Sequence, residues 1–285
     1  MKVQRFATVQ AFLGHAGEFL GAREAEHNLI FGICSNIEAD PSQFEAAPYL
    51  AAVVDADRVV GAAIRTPPWR IILSLFDRPD GVDRLIDDLA GDPVGESLPG
   101  AVGPTESVGP FAAAWRRRTG AVARLSRHER SFRLQRVLAP RPAPGSMIRA
   151  EPANHALLSA WAKAFAEEAH TGGPDQDYDR MADRWIKGQG RTAYLWLDDG
   201  RPVSLAGAGG LTPNGIRVGP VYTPPALRGR GYASNLVAGV SQLQLDRGRT
   251  FVFLFTDLAN PTANKIYQSI GYEPVNDIDE WDFGG

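Results

Sequence analysis

The stretch that decides the fold is Val221-Tyr222-Thr223-Pro224-Pro225-Ala226-Leu227-Arg228-Gly229-Arg230-Gly231-Tyr232-Ala233-Ser234. The run Ile216 to Tyr222 reads as a strand, and the two prolines that follow stop it. A glycine-bearing turn then opens a helix predicted from about Tyr232 to Arg247. At such a helix start several backbone N–H groups have no partner in the helix, and the helix dipole adds partial positive charge. Together they form a site suited to phosphate. Gly229 and Gly231 let the backbone turn tightly and approach a ligand with no Cβ in the way. Arg228 and Arg230 add charge-assisted contacts to the same anion.

A glycine-rich turn alone is weak evidence. Gly229-Arg230-Gly231 has no third glycine three residues on, so the dinucleotide fingerprint is absent, and so is the lysine of a P-loop. What fits is Arg-x-x-Gly-x-Ala, from Arg228 to Ala233, preceded by Pro225. Another segment follows the apolar run Thr250 to Thr256: Thr256-Asp257-Leu258-Ala259-Asn260-Pro261-Thr262-Ala263-Asn264-Lys265-Ile266-Tyr267, closed by Gly271-Tyr272. The glycine-bearing stretch resembles the coenzyme A pyrophosphate loop of the GNAT family of N-acetyltransferases. The segment ending at Tyr267 is similar to that family's Asn-x-x-Ala-x-x-x-Tyr element. The resemblance covers residues 147–280.

The resemblance implies an α/β fold with a mixed sheet, acetyl-CoA as cosubstrate, no metal, and direct acetyl transfer to a primary amine through a tetrahedral intermediate. It implies that main-chain groups of Val221, Tyr222 and Thr223 pair with the pantetheine arm, freed by a splay between neighbouring strands. One N–H there would polarise the thioester carbonyl. The amides of Gly229, Arg230, Gly231, Tyr232, Ala233 and Ser234 would hold the pyrophosphate, with Arg228 beside them. Asn260 would bond the pantetheine or acetyl region, and Tyr267 would protonate the departing thiolate. Plainer roles stay open for both: Asn260 precedes Pro261 and suits a helix cap, and Tyr267 sits between Ile266 and Ile270 as a core aromatic would. For the general base, the strand Ile216 to Tyr222 carries no acid. Glu168 ranks first, ahead of Glu167, His170 and Asp257, and an amine of low pKa would need no dedicated base. A regulatory or scaffold protein that binds acyl-CoA without turnover, and a transferase using a longer acyl donor, are the alternatives.

Composition narrows the rest. In 285 residues, 30 Lys and Arg stand against 33 Asp and Glu, a net charge of -3, which argues against a dedicated nucleic-acid binder. Arg116-Arg117-Arg118 reads as a solvated helix face, and Arg124, Arg127, Arg130, Arg133 and Arg136 have no interleaved aromatic platform. The lone cysteine, Cys34, reads as a small buried hydrophobe and cannot form an internal disulfide. His15, His27, His128, His155 and His170 show no metal-ligand spacing. No apolar run approaches the ~20 residues that span a bilayer, and the start lacks a signal-peptide core. The expectation is a cytoplasmic protein whose partner is a small-molecule or peptide amine, with no nucleic acid or membrane and an oligomeric state left open.

Ala139-Pro140-Arg141-Pro142-Ala143-Pro144-Gly145 is the candidate linker, a semi-rigid spacer between 1–138 and 146–285. In the first half, Phe6 to Ile33 has helical spacing; Tyr49 to Val54, Val59 to Ile64 and Trp69 to Phe76 read as strands; Val82 to Ala90 and Val108 to Thr119 as helices; Ser131 to Leu138 as a strand. The other half repeats the plan: Met147 to Arg149 a strand, Asn154 to Ala169 and Asp177 to Lys187 helices, then a hairpin about Asp198-Asp199-Gly200-Arg201. The first half is therefore expected to be a degenerate GNAT-like domain, its nearest counterpart of the glycine turn being Ala101-Val102-Gly103-Pro104-Thr105-Glu106-Ser107.

Overall fold

A computed structural model describes residues 1–44, 46–96, 98–172 and 176–284. In chain order its elements are β1 (Lys2–Arg5), α1 (Val9–Gly21), α2 (Asn28–Ala39), β2 (Tyr49–Asp55), β3 (Arg58–Arg65), β4 (Ile71–Leu73), α3 (Pro79–Ala90), α4 (Pro93–Glu96), β5 (Gly100–Pro104), α5 (Thr105–Thr119) and β6 (Val122–Leu134). There follow β7 (Ser146–Arg149), α6 (His155–Glu168), α7 (Tyr178–Lys187), β8 (Arg191–Asp198), β9 (Arg201–Leu211), β10 (Gly215–Tyr222), α8 (Tyr232–Asp246), β11 (Phe251–Asp257), α9 (Pro261–Ser269) and β12 (Glu273–Gly284). Apart from the short α4, the two runs have the same order: strand, two helices, three strands, helix, strand, helix, strand. The repeat expected from sequence is therefore present in the elements.

The chain divides into two compact units. The first holds 1–131, 255–260 and 274–285; the second holds 132–254 and 261–273. In the first, β1–β2–β3–β4 run antiparallel in sequence and β4 pairs β5 in parallel. β5 then takes β12 as its antiparallel neighbour, from Ile278↔Pro104 to Asp282↔Gly100. The last strand of the chain thus completes the first unit's sheet, whereas the sequence-based division assigned it to the second half. In the second unit β7–β8–β9–β10 run antiparallel and β10 pairs β11 in parallel.

Strand alternation builds the cores. In β2, Tyr49, Ala51 and Val53 face one way, toward α3 and α5 side chains such as Leu85 and Phe111. Leu50, Ala52 and Val54 face the other, toward α1 and α2 side chains such as Phe12 and Ile30. The second unit repeats this. Ala193 and Leu195 of β8 pack with Leu158 of α6 and Trp185 of α7, while Tyr194 and Trp196 pack with Leu236 and Val240 of α8.

The structure alters several sequence-based boundaries. Phe6 to Ile33 is not one helix but α1 and α2, broken after the α1 C-cap at Ala22. β5 reads as a turn in sequence because Gly100, Gly103 and Pro104 fill it. Its glycines answer to packing. A Cβ on Gly100 would lie 2.0 Å from the Trp281 carbonyl oxygen, and one on Gly103 would lie 2.8 Å from that of Leu73. β6 begins nine residues before the predicted Ser131, at Val122. Its charges hid it, and those charges are matched by the acidic β12: Arg130 Nε bonds Asp277 Oδ1 at 2.6 Å, His128 Nδ1 meets Asp279, and Arg127 Nη1 lies 3.6 Å from Glu280 Oε1. The Arg130 hydrogen bond holds the Asp277 carboxyl below its usual range.

The proline segment is not a free spacer. It packs on the second unit: Trp196 Nε1 donates to the Pro144 carbonyl at 2.7 Å and Asn235 Nδ2 to that of Arg141 at 2.9 Å. Among the described residues no helix is long and apolar enough to cross a membrane.

Candidate functional site

The site is built where β10 ends. Its antiparallel pairing with β9 jumps from Val218↔Ala208 to Val221↔Ala206, three residues against two. That is a β-bulge, and it accommodates Pro220, which cannot donate to a regular ladder. On the other edge the parallel pairing with β11 covers three pairs and ends at Arg217↔Phe253. β10 runs on to Tyr222 without extending that ladder. Val221, Tyr222 and Thr223 therefore sit on a strand end that β9 holds from one side. On the β11 side, among the described residues, the parallel ladder does not reach Val221 or Tyr222, which leaves an edge where an extended ligand could add as a strand would.

Ser204 of β9 pins this end. Its Oγ lies 2.8 Å from Thr223 Oγ1 and 3.2 Å from the Tyr222 carbonyl oxygen. Nothing in the sequence marks Ser204, because strand register alone brings it to residues eighteen and nineteen positions away.

Pro225–Leu227 makes one 3-10 turn, and the backbone then swings through Gly229 at φ 77° and Gly231 at φ 81° into α8. Both glycines occupy the left-handed region, where other residues carry strain. The first bond of α8 runs from the Asn235 N–H to the Gly231 carbonyl at 3.1 Å. The N–H groups of Gly229, Arg230, Gly231, Tyr232, Ala233 and Ser234 make no hydrogen bond among the described residues. Among those residues no side chain caps the helix. Six unmet donors at a dipole's positive end are the donor set a pyrophosphate needs, and the loop residues fit that group.

The flanking side chains hold the loop's shape. Arg228 Nε donates to the Thr223 carbonyl at 2.8 Å, and its Nη2 pairs with Glu168 Oε2 of α6 at 2.6 Å. Glu168, first among the candidate bases, thus has its carboxylate engaged by a guanidinium. Tyr232 contributes only its amide, because its ring is buried in the core and its hydroxyl bonds Asp198. That hydrogen bond, with burial, raises the Tyr232 pKa. Arg230 is exposed beside the loop.

Tyr267, on α9, packs on the same core cluster as Val221, Leu227 and Tyr232, and its ring meets Tyr272 edge-on at 6.0 Å. Its hydroxyl makes no hydrogen bond among the described residues. Burial pushes its pKa up to about 12, so it stays protonated and able to donate at neutral pH. The core role and the donor role are compatible here, since the ring packs while the hydroxyl is unmet. Asn260 lies in the segment 255–260 of the first unit. Its N–H donates to the Asp257 carbonyl at 3.0 Å, and Asp257 Oδ1 accepts from Ala259 N–H at 2.7 Å, closing the turn before α9. On the opposite face, Trp161 of α6 meets the Tyr222 ring at 6.0 Å.

In the first unit the topological counterpart of the β10–α8 turn is the β4–α3 turn, residues 74–78, rather than 101–107, which lead from β5 into α5. Here no glycine intervenes. Ser74 and Phe76 are consumed by bonds to Ala62 and Ser107, and Asp77 is paired with Arg23. The N–H groups of Ser74, Leu75, Phe76 and Asp77 are all bonded, to Ala62, His27, Ser107 and Val60, so among the described residues this turn offers no run of unmet amides like that at 229–234.

Residues 156–272 match the family model described as Acetyltransferase (GNAT) family. Solved structures align with nearly the whole chain. A GNAT-family acetyltransferase from Colwellia psychrerythraea is 12% identical, covers 100% of both chains and has a TM-score of 0.62. A Drosophila protein is also 12% identical, covering 99% of this chain and 98% of that one, with a TM-score of 0.69. A tandem GNAT protein from the clavulanic acid biosynthesis pathway is 15% identical, with the same coverage and a TM-score of 0.59. At these identities the likeness is one of fold. No curated protein matches the sequence.

Proposed function

We infer that this chain, a GNAT-like fold in its first half and a GNAT acetyltransferase domain at 156–272, transfers an acetyl group from acetyl-CoA to a primary amine. The observation that supports this most is the set of six unmet amides from Gly229 to Ser234, placed directly after a strand whose parallel ladder stops short. Bound acetyl-CoA would supply the activated thioester. The amides of the loop bind its pyrophosphate, and Arg228 fixes the loop by tying Thr223 to Glu168. The strand end at Val221 and Tyr222, beyond the last β10–β11 pair, receives the pantetheine arm and directs an N–H at the thioester carbonyl, where negative charge develops.

Tyr267 donates to the departing sulfur. Its raised pKa makes it a weaker acid than a free tyrosine, but the burial that raises it also raises the basicity of a thiolate leaving into the same surroundings. β10 carries no acid and the Glu168 carboxylate pairs with Arg228, which favours an acceptor amine of low pKa that needs no dedicated base. The acceptor is a small-molecule or peptide amine. The unmet amides at 229–234 support one cofactor site, so calorimetry should give one acetyl-CoA per chain, and an assay of thiol release against a panel of amines should find turnover. Binding without release for every amine would favour a scaffold that holds acyl-CoA.

A further inference from the structure

One side chain of α8 has no part in the roles assigned so far. Asn235 sits one turn into the helix, and its Nδ2 donates twice: to the Gly231 carbonyl at 2.9 Å and to the Arg141 carbonyl at 2.9 Å. Both neighbours are acceptors, so the amide nitrogen rather than the oxygen must face them, and both of its hydrogens are used. The Asn235 backbone N–H also donates to the Gly231 carbonyl, at 3.1 Å. That carbonyl therefore takes two bonds from one residue. Asparagine ranks low among helix formers, so helix propensity does not account for it here. A peptide unit is planar and trans, so the Gly231 carbonyl and the Tyr232 N–H point in opposite directions. Drawing the carbonyl along the helix toward Asn235 aims the Tyr232 N–H out of the helix start, among the unmet donors of 229–234. Gly231 holds φ 81°, and a glycine leaves such a conformation more readily than other residues leave theirs. The bonds from Asn235 oppose that.

The other bond reaches the proline segment. Arg141 lies between Pro140 and Pro142, and a residue before proline is confined to extended backbone. It belongs to no strand, and its carbonyl is met by Asn235 instead of a ladder. Two residues on, Ala143 packs on the core cluster that includes Tyr232, Leu236 and Val237 of α8. Its Cβ lies 3.6 Å from the point where a Gly231 side chain would begin. Pro144 then accepts from Trp196 Nε1 of β8 at 2.7 Å. Residues 141–144 are thus held along the first turn of α8 at both ends and in the middle. Proline-rich backbone is stiff, so a segment pinned in this way restrains the turn it lies against.

We propose that Asn235 is a positioning residue for the cofactor: it clips the proline segment 141–144 to Gly231 and so holds the loop amides in the arrangement a pyrophosphate takes. Donors fixed before the ligand arrives need no ordering when it binds, and that saving appears as affinity. The proline segment is then a splint for the cradle. The proposal rests on the reading of 229–234 as the site of the CoA pyrophosphate.

The test is calorimetric titration of the full-length protein with CoA, on variants that urea unfolding shows to be folded at the titration temperature. Asn235→Leu keeps the size and loses both donors, so CoA binding weakens about tenfold, equivalent to ~1.4 kcal/mol. Asn235→Gln keeps both donors one methylene further out and stays within about threefold of wild type. A role in helix stability alone would move the urea midpoint and leave the affinity of the folded variants level. Trp196→Phe removes the donor to Pro144 and frees the far end of the segment, and CoA binding weakens about threefold. Asn235→Leu within about twofold of wild type, Asn235→Gln as weak as Asn235→Leu, or unchanged affinity in Trp196→Phe overturns the splint. Wild-type protein that takes no CoA overturns the cofactor reading instead, and the same titration reveals it.

Discussion

Gly231→Glu tests the cradle most directly, and its effect divides into parts. Gly231 holds φ 81°, so any side chain there carries backbone strain of about 1–2 kcal/mol. Space is not the obstacle: an added Cβ would lie 3.6 Å from Ala143 Cβ and 3.6 Å from Asn235 Nδ2, ordinary contact distances. Gly231→Ala therefore isolates the strain and should lower unfolding stability by about 1–2 kcal/mol in urea. Glutamate adds a charge. A carboxylate roughly 5 Å from one phosphate, at an effective dielectric near 20, is repelled by about 3 kcal/mol. That corresponds to more than about a hundredfold in affinity. Calorimetric titration with acetyl-CoA should rank wild type above Gly231→Ala, with Gly231→Glu below detection, while the two variants lose similar stability. Acetyl-CoA binding to Gly231→Glu within threefold of wild type would refute the placement of the pyrophosphate. So would equal losses in the alanine and glutamate variants, because strain alone would then explain both.

Tyr267→Phe keeps the packed ring and removes the unmet hydroxyl, so kcat should drop about a hundredfold with acetyl-CoA affinity unchanged; an unaltered kcat leaves the tyrosine with its core role only. The same residue has an alkaline signature. Its pKa is raised from 10 to about 12 in the folded chain, so between those values the unfolded tyrosine ionises first and stability falls as pH rises. Urea midpoints across that window should slope less in Tyr267→Phe than in wild type. Glu168→Gln should leave kcat within about fivefold, the range of an exposed ion pair, because its carboxylate already serves Arg228; a loss of several hundredfold would reinstate it as the base. Gly100→Ala should cost about 3 kcal/mol of unfolding stability, since the new methyl would sit 2.0 Å from the Trp281 carbonyl oxygen; a neutral result would mean that β5 and β12 can part without penalty.

The sequence by itself determined what is local. Pro224 and Pro225 stop a strand, Gly229 and Gly231 make a turn that no other residues make cheaply, and Tyr232 onward continues with helical spacing, so the passage from strand through turn to helix is legible in the sequence. The order of elements in both halves was legible for the same reason, because period-2 and period-3.6 patterns are properties of contiguous residues. Tertiary structure decided whatever depends on distant partners. β5 has the composition of a turn until β4 and β12 close on either side and exclude a Cβ from Gly103 and Gly100. β6 has the composition of a solvated basic run until β12 brings Asp277, Asp279 and Glu280 to its cations. Glu168 reads as a free carboxylate until the loop folds back and Arg228 takes it. Ser204 reaches Tyr222 and Thr223 only through the register of β9 and β10. Register is a long-range property: it is settled by which faces can be buried together, and a single chain read in order carries no mark of it.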